Sequence, residues 1–349
     1  MGWGRTLACV GAVASALAWS GAPRADPAAP TLDAQLAKPA LVDIGGRRLN
    51  VFCLGEGSPT IVFGQGGEGN IANWKKVQPA VSALTRTCFY DRAGFGYSDP
   101  TSDPITGLQV TDELHALLRA AKIKGPVVLV GHSVGGFYAT LYADRFADEV
   151  AGLVLVDPGF DGQGDWRTDD DRKVDNPHNL SGEANLLKCA ALARAGKLSA
   201  ANLASEGCYP PPPQDAAPGE AAYVLHAITR PSWYEAEYSQ SVNYFPRDAE
   251  VSVSHGQERA AYRSFGDLPL VVLSAAGSTQ VPWRSEDANR RSNDHWLAGH
   301  RALAKRSSRG RWALVPGANH FIQLSQPQAV IDAIQAVVDE VRAKRPPTR

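Results

Sequence analysis

The sequence has few methionines and almost no net charge. Its 349 residues include one methionine, Met1, and 35 Lys and Arg side chains face 36 Asp and Glu, which leaves a net charge of -1. A Met-rich groove for varied helices is therefore excluded, and nothing in the charge balance favours nucleic acid as a partner. With 44% hydrophobic and 20% charged residues, the composition is that of an ordinary globular protein with a sizeable core.

Long hydrophobic runs are also scarce, and the one near the N-terminus is short. Arg5 precedes an apolar stretch over 7–19, which is too short for an ordinary transmembrane helix. Small residues near positions 18, 22 and 25 suit cleavage, so we interpret residues 1–25 as a secretory signal peptide. The prediction is an exported protein, periplasmic or secreted, without a stable membrane anchor after signal removal; the alternative is an uncleaved anchor.

Four cysteines remain once the signal peptide and Cys9 are removed. They are Cys53, Cys88, Cys189 and Cys208, an even number in an oxidising compartment. Two disulfides are therefore possible, and spacing alone leaves all three pairings open. None of the cysteines has the close spacing of a zinc site, which makes metal ligation the weaker interpretation.

Short β-branched segments alternate with helical patterns from residue 40 onward. This alternation predicts a mostly parallel sheet with helices on both faces, an α/β fold. The predicted helices include 111–121 and 136–146, and the predicted strands are 41–44, 48–53, 60–63, 87–90, 126–130, 151–156, 268–274 and 311–315.

Residues 158–262, which we call the cap insertion, interrupt the alternation. They are polar, contain helical stretches such as 184–195, and show no convincing strand. We therefore assign residues 26–157 and 263–349 to the sheet domain. A disordered linker is the alternative, disfavoured by aromatic side chains that need packing partners: Trp166, Trp233, Tyr234, Tyr238 and Tyr244.

A Gly-x-Ser-x-Gly motif stands between a predicted strand and a predicted helix. In this context Ser133 sits on a sharp turn, which requires small residues at Gly131 and Gly135. The turn lifts the Ser133 hydroxyl above the sheet, where it serves as a nucleophile. The N–H of Val134 then points to where an oxyanion would form. A glycine-rich turn with an incidental serine is the alternative.

A second oxyanion donor is expected from the loop after the strand at 60–63. The sequence there is Gly-Gln-Gly-Gly, and we nominate the Gly67 N–H. Without such a donor, the tetrahedral intermediate loses about 3 kcal/mol of stabilisation. A plain glycine turn is the alternative.

A serine hydroxyl needs a base, and His320 is the strongest of eight histidines. It follows the last predicted strand and a Pro-Gly-Ala-Asn loop, in the chain order nucleophile, acid, histidine. His132 points away as the neighbour of the nucleophile. The remaining candidates, His115, His295 and His300, lie in helical stretches and are assigned to surface or packing roles.

These motifs resemble those of the α/β-hydrolase-fold family, specifically its serine-nucleophile hydrolases with a cap domain. The resemblance covers about 40–340 apart from the cap insertion and includes Tyr-Asp-Arg-Ala-Gly-Phe-Gly-Tyr-Ser-Asp at 90–99 and Gly-Ala-Asn-His-Phe at 317–321. It implies a mostly parallel eight-stranded sheet with helices on both faces and a helical cap after strand 6. Gln65 stands where the family usually has histidine, which changes a side chain but leaves the backbone donor.

The triad acid departs from the commonest family pattern. After the strand at 268–274 the sequence offers Gln280, an amide that cannot stabilise an imidazolium as a carboxylate does. Some relatives carry the acid after the preceding strand, where this chain has Asp157, which we assign. A turn-closing role beside Pro158 is the alternative, and the fallback acids are Asp161, Glu286 and Asp287.

The resemblance also implies the disulfide pairing. In this fold the second and fourth strands are neighbours, which puts Cys53 beside Cys88 and leaves Cys189 to pair with Cys208.

The resemblance implies acyl transfer to water on a small-molecule carboxylic ester or lactone. Amide, peptide or carbon–carbon bond hydrolysis with the same residues is the alternative, as is a non-catalytic ligand-binding protein of this fold. No cofactor or metal is implied, because side chains, backbone amides and water suffice.

Overall fold

The computed structural model describes residues 31–245 and 251–344. The predicted signal peptide therefore lies outside the described residues. Within these two ranges, no helix combines the length and the apolar character needed to cross a bilayer.

Eight strands form one sheet in the order β1-β2-β4-β3-β5-β6-β7-β8. The first two strands and the β2–β4 pair are antiparallel, and the other neighbours are parallel. This confirms the predicted eight-stranded, mostly parallel sheet. The strands are β1 Leu41–Asp43, β2 Arg48–Leu54, β3 Ile61–Gly64, β4 Thr87–Tyr90, β5 Val127–His132, β6 Val150–Val156, β7 Leu270–Ala275 and β8 Gly310–Val315.

Helices connect the strands and cover both faces of the sheet. Those outside the cap insertion are α1 Leu32–Leu36, α2 Gln78–Leu84, α3 Gly107–Ala120, α4 Val134–Arg145, α9 Glu286–Ala304, α10 Ile322–Ser325 and α11 Pro327–Lys344. Those between β6 and β7 are α5 Asp169–Arg194, α6 Pro218–Ile228, α7 Pro231–Tyr244 and α8 Val253–Ala261.

The central strands are buried on both sides because alternate side chains enter two separate apolar layers. In β5, Val128 and Val130 join one cluster, while Val127 and Leu129 join the other. Successive strand residues point to opposite faces, so a continuous apolar run is what a sheet covered by helices on both faces requires. Because these strands are parallel, their C-terminal ends lie at one edge of the sheet.

In the described part of the segment between β6 and β7, the regular elements are all helices, joined by turns and irregular stretches. Helix α5 begins with a capping box formed by Thr168 and Asp171, and it extends well beyond the stretch predicted at 184–195. A third apolar cluster joins this segment to α4 and contains the buried Trp233, Tyr234 and Tyr244 together with α4 residues. The aromatic side chains of α7 therefore dock the segment on the sheet domain.

Two disulfides are present. Cys53 and Cys88 face each other across β2 and β4, with an S–S distance of 2.05 Å. Cys189 is bonded to Cys208, 19 residues further along the chain, at 2.08 Å. The first bond joins two strands of the sheet, and the second closes a loop within the cap insertion.

Replacing the second pair tests its contribution to stability. We expect Cys189→Ser/Cys208→Ser to lower the free energy of unfolding of the cap insertion by about 3 kcal/mol, because the bond restricts a loop of about twenty residues in the unfolded chain. Urea denaturation with limited proteolysis measures this. An unchanged urea midpoint and an unchanged proteolysis rate would contradict this expectation. Peptide mapping without reduction verifies both disulfide pairings in the wild type.

Candidate active site

Ser133 lies at the turn from β5 to α4 with a strained backbone. Its φ of 54° and ψ of −125° are outside the regions that non-glycine residues usually adopt. The turn is also crowded: a side chain at Gly131 would collide with the Gly135 carbonyl, and one at Gly135 would collide with the Gln65 carbonyl. The two glycines are required here by close backbone approach, which also ties the turn to the loop after β3.

His320 is within hydrogen-bond reach of Ser133. Its Nε2 lies 3.0 Å from the Ser133 Oγ, in position to accept the hydroxyl proton. The loop carrying His320 is held by His132, whose Nε2 donates to the His320 carbonyl at 2.9 Å. Burial, together with the nearby charge of His320, lowers the pKa of His132 to about 3. His132 is therefore neutral and acts as a structural donor.

Asp157 holds the other side of the His320 ring. Its Oδ2 lies 2.6 Å from His320 Nδ1, and its Oδ1 accepts from the Ala275 N–H and the Trp296 Nε1–H, both at 3.0 Å. Burial by itself raises the pKa of Asp157. The hydrogen bond and the charge of His320 outweigh this effect, with help from the charge of His300 and the Ala275 N–H, so the pKa of Asp157 lies below its ordinary value. The carboxylate is thus ionised and fully hydrogen-bonded.

The backbone at Asp157 is strained as well. Its φ is 44°. Three non-glycine residues in the described part of the chain have a positive φ, and Ser133 is another of them. Such conformations persist only where the surroundings impose them, and they concentrate at functional sites.

The other candidate acids are held elsewhere. Asp161 forms an ion pair with Arg259, and Asp287 pairs with neighbouring arginines on its own helix. Glu286 lies in the exposed first turn of α9, and the Gln280 side chain is exposed. Among the described residues, no hydrogen bond or ion pair joins any of them to His320.

The two predicted oxyanion donors line one cavity with Ser133 and His320. Neither the Gly67 N–H nor the Val134 N–H donates to an acceptor within residues 31–245 and 251–344, so both are free to bind a substrate oxygen. The loop that carries Gly67 is held by Arg92, which donates to the carbonyls of Gln65, Gly66 and Gly67. Sequence reasoning did not assign this arginine a role, although it stands within the motif at 90–99.

The cavity has a volume of about 400 Å³ and lies between the sheet edge and the cap insertion. Its walls combine aromatic groups, Trp166, Tyr244 and Phe245, with the charged groups of Arg167, Asp175 and Arg284. Arg284 is paired with Asp175 through two hydrogen bonds of 2.7 and 2.8 Å. In the described part of the chain, no group of His, Cys, Asp and Glu side chains is arranged to hold a metal ion.

Sequence reasoning missed three further residues of the candidate site. Trp296 donates to Asp157, the buried His300 lies near the same carboxylate, and Gln240 reaches the cavity from α7. The first two lie on a helix far from Asp157 in sequence, so only tertiary packing identifies them.

Comparisons with known proteins agree with this architecture. A family model described as the alpha/beta hydrolase fold matches residues 59–184. An uncharacterized protein of Schizosaccharomyces pombe is 27% identical over 249 residues, covering 71% of this chain and 40% of that protein. The chain thus spans less than half the length of the curated relatives it matches.

Two solved structures share the fold. A thermophilic esterase from Thermogutta terrifontis has a TM-score of 0.55 and 18% identity, with 87% of this chain and 99% of that chain covered. The enol-lactonase from Burkholderia xenovorans LB400 has a TM-score of 0.53 and 18% identity, with 86% and 100% covered. Because the sheet order, the family model over residues 59–184 and these structures all agree, the chain has the α/β-hydrolase fold.

Proposed function

We propose that the protein is an exported serine hydrolase that cleaves a small carboxylic ester or lactone through an acyl-enzyme intermediate. The observation that carries this proposal is the continuous hydrogen-bond chain in which His320 joins the Ser133 hydroxyl, at 3.0 Å, to the Asp157 carboxylate, at 2.6 Å. A hydroxyl, an imidazole and a carboxylate in this order are the groups that nucleophilic acyl transfer requires.

Acylation begins when the Ser133 Oγ attacks the substrate carbonyl carbon. The hydroxyl proton moves to His320 Nε2, the Asp157 carboxylate stabilises the resulting imidazolium, and the carbonyl electron pair becomes an oxyanion facing the Gly67 and Val134 N–H groups. The tetrahedral intermediate then collapses, the ester C–O bond breaks, and His320 gives its proton to the leaving alkoxide.

Deacylation repeats these steps with water. His320 takes a proton from water, the hydroxide attacks the acyl carbon, and the second tetrahedral intermediate releases the carboxylic acid while Ser133 recovers its proton. For a lactone, the alcohol and acid groups belong to one product molecule.

The cavity and the comparisons support an ester or lactone as substrate. A volume of about 400 Å³ suits a small organic molecule. Likeness to an esterase and an enol-lactonase points to the same bond class. The mixture of aromatic and charged walls favours a substrate with both apolar and polar parts.

Export is supported by the cysteine chemistry. Two disulfides join the four cysteines left after the predicted signal peptide, and structural disulfides persist in oxidising compartments. Amino-terminal sequencing of the mature protein from a periplasmic or culture fraction tests this part of the proposal.

Removing the Ser133 hydroxyl tests the proposed nucleophile. We expect wild-type protein to hydrolyse p-nitrophenyl acetate and to be labelled at Ser133 by a fluorophosphonate. Ser133→Ala should lose about 10⁴-fold or more in kcat and should not be labelled, because no other group can form the acyl-enzyme. Stopped-flow release of p-nitrophenol and peptide mapping provide the measurements.

A substrate panel separates the alternatives. p-Nitrophenyl esters, lactones and anilides of matched acyl length give the bond preference. Wild-type protein that neither turns over any of them nor reacts with the fluorophosphonate would support the ligand-binding alternative, whereas faster anilide cleavage would favour an amidase.

Comparing Asp157→Asn with Gln280→Ala tests the acid. We expect Asp157→Asn to lower kcat by about 10⁴-fold, because the amide can no longer stabilise the imidazolium. Gln280→Ala, on an exposed side chain, should remain within about twofold of wild type. Steady-state kinetics on one ester measures both, and a large loss confined to the Gln280 variant would reject the assignment of Asp157.

A further inference from the structure

Arg92 makes an unusual set of contacts beneath the predicted oxyanion hole. Its guanidinium donates to three consecutive backbone carbonyls, those of Gln65, Gly66 and Gly67, at 2.9, 2.8 and 3.1 Å. A fourth bond of 3.0 Å reaches the Gln240 side-chain oxygen on α7. Three successive carbonyls on one cation fix the course of the loop.

One of these carbonyls shares a peptide group with the predicted oxyanion donor. The C=O of Gly66 and the N–H of Gly67 belong to a single planar amide and point in opposite directions. A bond from Arg92 to this oxygen therefore sets the direction of the Gly67 N–H. Because hydrogen bonds in a chain polarise one another, the charged donor also makes that N–H a stronger donor.

The charge of Arg92 is deeply buried. The side chain is 2% exposed, packs against the rings of Phe95 and Tyr138, and forms no ion pair among the described residues. Buried charges are normally paired with an opposite charge. All four hydrogen-bond acceptors of this guanidinium are neutral oxygens, so its positive potential is not cancelled at contact distance.

Three carboxyl groups interact with Arg92 from further away: the neighbouring Asp91, Glu68 on the loop and Glu237 on α7. The Asp91 carboxylate accepts its own hydrogen bonds from Asn50, Tyr97 and Tyr223. Burial raises the pKa of Glu237 to about 8 against the opposing charge of Arg92, and burial also raises the pKa of Glu68. Glu237 is therefore mostly uncharged at neutral pH and cancels little of the positive potential of Arg92.

We propose that Arg92 is a positioning residue that orients and polarises the Gly66–Gly67 peptide, so that this amide stabilises the oxyanion during acyl transfer. The inference rests on the proposed function. Gln240 connects this hydrogen-bond network to the cap insertion, since its Nε2 donates to the Gly67 carbonyl at 3.1 Å while its side-chain oxygen accepts from Arg92. Docking of α7 thus contributes to the rigidity of the donor.

The test compares Arg92→Lys, which keeps the charge, with Arg92→Gln, which removes it. Arg230 offers a matched control, because it also joins the cap insertion to the 90–99 segment by donating to the Gly96 and Ser98 carbonyls, at 2.7 and 3.4 Å. For each variant we would measure kcat and KM for a p-nitrophenyl ester and Ki for an alkyl trifluoromethyl ketone. The ketone forms a tetrahedral oxyanion on serine.

We expect Arg92→Gln to lower kcat by about 10- to 100-fold with KM little changed, and to raise the ketone Ki by a similar factor. Arg92→Lys should recover a large part of both losses. Arg230→Gln should remain within about threefold of wild type in kcat and Ki, whatever its effect on thermal stability.

Three results would overturn the inference: an unchanged Ki in Arg92→Gln, a loss expressed only in KM, or an equal rise in Ki for Arg230→Gln. If Arg92→Gln does not fold, Gln240→Leu replaces it. We then expect kcat to fall and Ki to rise by about 3- to 10-fold each, and unchanged values of both would contradict the proposal. Wild-type protein without turnover would instead refute the proposed function.

Discussion

The contact between two backbone segments, the turn at Ser133 and the loop at 65–67, constrains the whole site. Gly135 approaches the Gln65 carbonyl so closely that no side chain fits, and Ser133 is held at a φ of 54°. This main-chain contact holds the turn that carries Ser133 and Val134 against the loop that carries Gly67, and the hydrogen bonds of Arg92 fix the course of that loop. Strain at the turn is tolerated because the sheet and α4 on either side are buried.

The remaining groups reach this contact from distant parts of the sequence. Asp157 follows β6, His320 follows β8, and Trp296 comes from the helix between β7 and β8. They meet because the carboxyl ends of parallel strands lie at one edge of the sheet, which is where ligands bind in open α/β folds. Burying a carboxylate without hydrogen-bond partners costs free energy, and the donors around Asp157 offset that cost.

Much of the fold could be predicted because its signals are local. Continuous apolar runs identify strands buried on both faces, and the glycines around Ser133 identify a tight turn. A lone aspartate or histidine has no local signature, so His320 was assigned from its place after the last strand in the order nucleophile, acid, histidine, and Asp157 needed the family resemblance. The structure brings both to Ser133, and their catalytic roles stay predictions.

Other features could not be predicted because they depend on long-range contacts. Helix α5 begins far earlier than its periodicity indicates, since polar residues there pair with residues distant in sequence, as Asp171 does with Arg291. The hydrogen bonds of Arg92 to the loop at 65–67 and of Trp296 to Asp157 likewise exist only once the chain has folded. The motif at 90–99 marks Arg92 but does not reveal which carbonyls it binds.

The most direct test of the account is a crystal structure of the protein after reaction with diethyl p-nitrophenyl phosphate, whose phosphoryl adduct imitates the tetrahedral intermediate. We expect phosphorus bonded to the Ser133 Oγ, with the phosphoryl oxygen about 3 Å from the backbone nitrogens of both Gly67 and Val134. An adduct on a different residue, or a phosphoryl oxygen directed away from these two N–H groups, would contradict it.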